Sequence, residues 1–266
     1  MTRPTGTTTW LDLGSTDLSA AKAFYTDLFG WTFDDAGEEL GHYHMIRNRG
    51  ALVGGAMDIS GMTCPQGRPL PSEWTVYLAV DDVDARVTKA ETAGAHVMVP
   101  AADAGPAGRF AIVLDPAGSP VGLWQAGDTE GYEFTAETGS PVWFEVMTHD
   151  LDTAAGFYTD VLEAHLVPMS EPMEDDSFRY LTNGPGDEAT WGMGDATGVI
   201  PEGEGGWRIY LAVDACDAAV TRVEELGGRL LDGPVASPFG RIATVADPTG
   251  ATFQICAMSE STPEGS

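Results

Sequence analysis

Apolar and polar positions along the chain change period several times, and each change marks an element. Residues 10–13 read as a short strand. Asp17 then stands where a helix N-cap belongs, followed by Leu18, Ala21, Phe24, Tyr25 and Leu28 at helical spacing and by Gly30 as a stop. Residues 42–47 and 51–57 have strand character and are joined through Asn48-Arg49-Gly50, a hairpin-type turn. Residues 58–73 carry Pro, Gly and Ser without periodicity and read as a loop. The pattern then restarts: a strand over 75–80, a helix over 83–93 closed by Gly94, and a strand over 97–100. Strands over 110–114 and 121–125 follow, joined by the turn Asp115-Pro116-Ala117-Gly118. Phe24-Tyr25, and Phe157-Tyr158 further on, sit at helical core spacing and read as packing residues.

The second half repeats the first. WLDLGSTDLSAAKAFYTDLFGW from Trp10 returns as WFEVMTHDLDTAAGFYTDVLEA from Trp143, 133 residues later. At the same spacing WTVYLAVDDVDA from Trp74 returns as WRIYLAVDACDA from Trp207. Gly108-Arg109 and the Asp115 turn match Gly240-Arg241 and Asp247-Pro248-Thr249-Gly250 at a spacing of 132. The chain is a tandem duplication of a unit that is itself doubled, which gives four modules of strand-helix-strand-strand-strand. The expected division is a first domain over 1–127, an acidic linker over 128–140, a second domain over 141–258 and a flexible tail over 259–266.

Composition narrows the function classes. The 266 residues suffice for two cores, and the formal net charge of −28 argues against nucleic acid or anionic membrane as partners, since both need a basic face. No run of 18 apolar residues occurs and the N-terminus lacks a charged-then-apolar signal pattern, so the expectation is a soluble cytoplasmic protein. Cys64, Cys216 and Cys256 have no paired or metal-type spacing; they read as reduced, the last two as small core residues.

Four βαβββ modules, each half opening with D-L-x-x-A-x-x-F-Y and closing with a D-P-x-G turn before the last strand, resemble the vicinal oxygen chelate superfamily of glyoxalases, bleomycin-resistance proteins and extradiol dioxygenases. The resemblance implies an α+β fold in which paired modules form two glyoxalase-like domains with curled mixed sheets around cavities. It also implies where a divalent metal would be held. The matching positions are Trp10 and Trp143, Thr75 and Arg208, Gly122 and Gln254, and a fourth near Gly54 and Gly192. These are not metal-binding side chains, apart from weak donors in Thr and Gln, so neither a metal nor another cofactor is expected. His42 and His44, two apart on an expected strand, would share a face as ligands could, though strand histidines more often serve structure.

The same positions, with their neighbours two residues on, would line the cavities. They are Trp10, Asp12, Thr75, Tyr77, Gly122 and Trp124 in the first half, and Trp143, Glu145, Arg208, Tyr210, Gln254 and Cys256 in the second. Acids in mid-strand need partners when buried; Arg208, Arg241, backbone groups or a ligand are the alternatives for Asp12 and Glu145. The leading reading is a metal-independent binder of a planar aromatic natural product or antibiotic, through Trp10, Asp12, Tyr77, Trp124, Trp143, Glu145, Arg208, Tyr210 and Gln254. Its role would be self-resistance, sequestration or support of a biosynthetic oxygenase, as a monomer or homodimer. The alternative is a metal-free isomerase, cyclase or oxygenation helper with Asp12 or Glu145 as general base. A metal-dependent lyase or dioxygenase stands third.

Overall fold

Asp17 accepts a hydrogen bond from Ala20 N and starts the first helix, and Asp82 and Asp150 do the same from Ala85 N and Thr153 N. The computed structural model describes residues 3–64, 67–135, 137–169 and 178–260. The first module is β1 (Thr8–Ser15), α1 (Leu18–Phe29), β2 (Thr32–Asp35), β3 (His44–Asn48) and β4 (Ala51–Asp58). The second is β5 (Glu73–Ala79), α2 (Val83–Thr92), β6 (His96–Asp103), β7 (Gly108–Leu114) and β8 (Pro120–Ala126). The third comprises β9 (Pro141–Thr148), α3 (Leu151–Leu162), β10 (Val167–Pro168), β11 (Tyr180–Thr182) and β12 (Gly192–Asp195). The fourth comprises β13 (Gly206–Ala212), α4 (Cys216–Glu225), β14 (Arg229–Ser237), β15 (Gly240–Ala246) and β16 (Thr252–Ala257).

The fold is α+β, with two eight-stranded mixed sheets of order β2-β3-β4-β1-β5-β8-β7-β6 and β10-β11-β12-β9-β13-β16-β15-β14. Within each module the last three strands are antiparallel neighbours, while the module's first strand lies parallel to its last. A parallel pair cannot be joined by a tight turn, so the intervening helix and two strands form the crossover.

The chain forms two compact units, one of residues 1–10, 75–131 and 143–208, the other of 11–74, 132–142 and 209–266. Each is held by a device built from the repeated F-Y-T-D and D-P-x-G segments. In the first unit Trp207 Nε1 donates to the Tyr158 hydroxyl at 2.9 Å, which donates to Asp115 Oδ2 at 3.1 Å. Asp115 Oδ1 meanwhile accepts from Ala117 N and Ser119 N and shapes its turn. Burial, then the neighbouring Asp115 carboxylate, pushes the Tyr158 hydroxyl well above the usual tyrosine range. In the second unit Trp74 Nε1 donates to Tyr25 at 3.0 Å, and Trp31 and Phe253 lie with ring centroids 5.2 and 5.6 Å from that of Tyr25. Burial and then Asp247 raise the Tyr25 pKa in the same way. The F-Y pairs are core residues as their spacing suggests, but each tyrosine also joins a module of one half to a module of the other.

Arg86 adds a polar tie in the first unit. Arg86 is 4% exposed, and its guanidinium reaches from α2 to the C-terminal end of α3, donating to Val161 O at 2.8 Å and Glu163 Oε1 at 2.7 Å, with Asp81 at 2.8 Å. Residues 128–135 and 137–140 run without helix or strand but are tied down: Thr9 Oγ1 donates to Glu130 O, Glu133 N to Leu52 O, and Trp31 Nε1 to Gly139 O.

Three local expectations change. β2 and β10, short and with few apolar residues, carry too weak a pattern to announce themselves. His42 is not on a strand with His44: it precedes β3 with φ 57°, is exposed, and pairs with Asp35 at 2.9 Å, so the two do not share a strand face. Ser259 and Glu260 of the expected tail form a short 3-10 turn with Met258, and residues 261–266 lie outside the described residues. Among the described residues no helix is long and apolar enough to cross a membrane.

Candidate functional site

A tyrosine, an acid and a glycine come together once in each half. Parallel pairing of β1 with β4 sets Asp12 beside Gly55, and that of β9 with β12 sets Glu145 beside Gly192. Register partners share a sheet face. Tyr43, just before β3, hydrogen-bonds Asp12 Oδ1, and Tyr180 on β11 donates to Glu145 Oε2 at 3.0 Å. Both rings cross the sheet over their glycine. A Cβ on Gly55 would fall 1.6 Å from the Tyr43 hydroxyl, and one on Gly192 would fall 2.1 Å from that of Tyr180. Only glycine leaves room for this approach.

The second-half group, within the first compact unit, is the more elaborate. Trp143 Nε1 donates to the Tyr180 hydroxyl at 2.9 Å, and Arg208 Nη1 lies 3.7 Å from Glu145 Oε1. Glu145 is 8% exposed, and its two oxygens face different partners, which lets a carboxylate sit at that depth. Burial first, then the Glu145 charge, drives the Tyr180 pKa well above the ordinary value. Trp143 and Arg208 remain half-exposed at its edge.

The remaining candidates fall into two rows. In the first unit Tyr77, Gly122 and Ile112 lie side by side across β5, β8 and β7. The Tyr77 ring lies against Gly122, where an added Cβ would meet its Cδ1 at 2.1 Å. Trp124, two residues on, stacks with Trp10 at 6.2 Å and 19°, and Trp10, Tyr77 and Trp124 are all buried. The corresponding row in the second unit is Tyr210, Gln254 and Thr244 across β13, β16 and β15, with buried Cys256 in place of Trp124. Tyr210 and Thr244 are half-exposed; Gln254 is buried, its Nε2 3.5 Å from Thr244 Oγ1.

The donor set does not suit a divalent metal. Trp10, Trp143, Gly122, Gly192 and Arg208 offer no ligand atom in their side chains, and Thr75 and Gln254 offer weak ones. Register places Gly55, not Gly54, opposite Gly192 in the repeat. No group of three or more His, Cys, Asp or Glu among the described residues is arranged to hold an ion. A surface depression of about 290 Å³ beside Thr138, Asp214 and Met258, and another of about 540 Å³ beside Asp84, Glu91 and Pro100, contain none of the candidate residues.

Of the acid partners open in the sequence, Arg208 is the one that meets Glu145; Arg241 is taken by Asp217 at 2.6 Å. Sequence reading missed Tyr43 and Tyr180. The signal was present: Tyr43 to Tyr180 and Gly55 to Gly192 are both 137 residues apart, a second spacing produced by a longer loop in the second half.

Residues 8–123 match the family model described as the Glyoxalase/Bleomycin resistance protein/Dioxygenase superfamily, and residues 142–256 that of a Glyoxalase-like domain. The chain is 38% identical over 255 residues to CFP32 of Mycobacterium tuberculosis, which bears the name of a glyoxylase, covering 94% of each. It is 36% identical over 270 residues to the anthracycline biosynthesis protein DauV of Streptomyces sp. (strain C5), covering 97% of this chain and 95% of DauV. In fold it is similar to the Mn(II)-bound glyoxalase from Novosphingobium aromaticivorans, with TM-score 0.63, 16% identity and coverage of 97% and 84%. The 2,3-dioxygenase LapB from Pseudomonas sp. KL28 is similar at TM-score 0.63 and 10% identity, covering 96% and 93%.

Proposed function

Because this chain belongs to the Glyoxalase/Bleomycin resistance protein/Dioxygenase superfamily, we propose that it is a metal-independent binder of a planar aromatic small molecule. The observation that carries this reading is the Trp143–Tyr180–Glu145–Arg208 group: an indole, a phenol and an ion pair at a place where the fold's enzymes would hold a metal. Half-exposed Trp143 offers a ring face for stacking, and Arg208 a cation for a ligand carbonyl or phenolate. Tyr180 and Arg208 face different oxygens of Glu145 and stabilise its charged form, which supports a binding role over proton abstraction. Asp12 with Tyr43 is the first-half counterpart.

The similarity to DauV, named an anthracycline biosynthesis protein, supports a polycyclic aromatic of the anthracycline kind as the ligand class, handled by sequestration, self-resistance or support of an oxygenase. Stacking plus one desolvated polar contact reaches micromolar affinity, about −8 kcal/mol. Titration with 2,6-dihydroxyanthraquinone while following the fluorescence of the seven tryptophans tests this. Saturable quenching in the micromolar range is expected; no quenching at tens of micromolar would overturn the reading.

A further inference from the structure

The two halves have diverged at one place in opposite senses. In the first, Gly122 lets the Tyr77 ring lie down on the sheet, and Trp124 stacks with Trp10, so the chain's own side chains fill the row. In the second, Gln254 stands where Gly122 does and Cys256 where Trp124 does. A side chain at 254 occupies the place over which the Tyr77 ring lies in the first half, and Cys256 has no ring to stack as Trp124 does.

Gln254 carries the sharper signal. It is 3% exposed, yet its Oε1 has no hydrogen-bond partner, and its Nε2 has only the long contact with Thr244. Leaving a buried carbonyl unmet is costly. Such a cost persists where function requires the group.

We infer that the Tyr210–Gln254–Thr244 row is the ligand-reading site of the second half, with Gln254 Oε1 accepting a hydrogen bond from a hydroxyl on the ligand's ring system, and that the first half is filled by Tyr77 and Trp124 and takes none. This rests on the aromatic-binder reading above and narrows it to ring systems bearing a hydroxyl donor, bound once per chain. Tyr210, half-exposed beside Gln254, supplies the ring face against which such a ligand lies.

The test compares 2,6-dihydroxyanthraquinone with its 2,6-dimethoxy analogue, which lacks the donor, by calorimetric titration of the whole chain and of Gln254→Met. The methionine keeps the volume and removes the acceptor. The expected result is one dihydroxy compound per chain, weakened about tenfold by Gln254→Met, while the dimethoxy compound changes by less than about twofold. The variant should also melt no lower than the parent, because it loses an unmet polar atom; a purely structural Gln254 would lower the midpoint. Equal affinity of parent and variant for the dihydroxy compound, or two equivalent sites per chain, overturns this inference and leaves the broader reading standing. Failure of the parent to bind either compound overturns both.

Discussion

The Tyr180 hydroxyl donates to Glu145 while accepting from Trp143, so a single phenol oxygen joins an indole to a buried acid. The ring reaches that position only because residue 192 has no side chain. Gly192→Ala should therefore cost about 1–3 kcal/mol through overpacking alone. Gly156 is the control: it lies in α3 with nothing within 4 Å of an added Cβ, so Gly156→Ala should stabilise by about 0.5–1 kcal/mol. Urea unfolding of both variants decides the matter. Equal effects would mean that the Tyr180 position tolerates displacement.

Alkaline titration should reveal a late-ionising group of tyrosines. Tyr25, Tyr158 and Tyr180 are held protonated above their usual range, chiefly by burial, with Asp247, Asp115 and Glu145 adding to it. A pKa raised in the folded state gives stability that is fully present below the unfolded value of about 10 and lost as the pH climbs through the folded value. Phenolate absorbance should show Tyr25, Tyr158 and Tyr180 ionising only with unfolding, and Tyr158→Phe should remove one from this late group. Smooth titration of all seven tyrosines in a folded protein would contradict the geometry.

Arg86→Met should destabilise by about 2 kcal/mol, mostly by stranding the Val161 carbonyl at the end of α3. Its carboxylate partners Asp81 and Glu163 are more than half exposed and are worth little once screened by solvent. Arg86→Lys should not restore the loss, because one ammonium cannot reach the three acceptors that a guanidinium fork spans. Thermal melts of the two variants check both statements.

Added metal should leave the protein indifferent. A site filled at a hundred times its dissociation constant would stabilise the fold by about 2.7 kcal/mol. Melting in Mn(II), Zn(II) or a chelator should give one midpoint, since Trp10, Gly122, Trp143 and Arg208 stand where ligands would be needed. A clear rise with one ion would overturn the metal-independent reading.

Much of this was legible in the sequence because its signals are local. Asp17 and Asp150 announce caps, the D-P-x-G turns announce hairpins, and fixed spacing reveals the repeat. Trp10 and Trp143 could be read as replacing ligands for the same reason. Tyr43 and Tyr180 could not, since their roles depend on the register of strands entered through loops of unequal length. Arg86 and the hydroxyls of Tyr25 and Tyr158 were equally hidden. What they touch depends on which module packs on which, and hydrophobic period carries no record of that.

That packing has a consequence for how the chain can be taken apart. Each compact unit draws on residues from both sides of the segment between 127 and 141. A cut there yields fragments that each hold one side of two different cores: Tyr25 parted from Phe253, and Tyr158 from Asp115. Each fragment alone should therefore be less stable than the whole chain, and mixing the two should restore the missing contacts. The same contacts would oblige a single-half precursor to assemble with a copy of itself. In a fused pair the two copies need not be identical, and residues 122 and 254, a glycine and a glutamine, are a place where they differ.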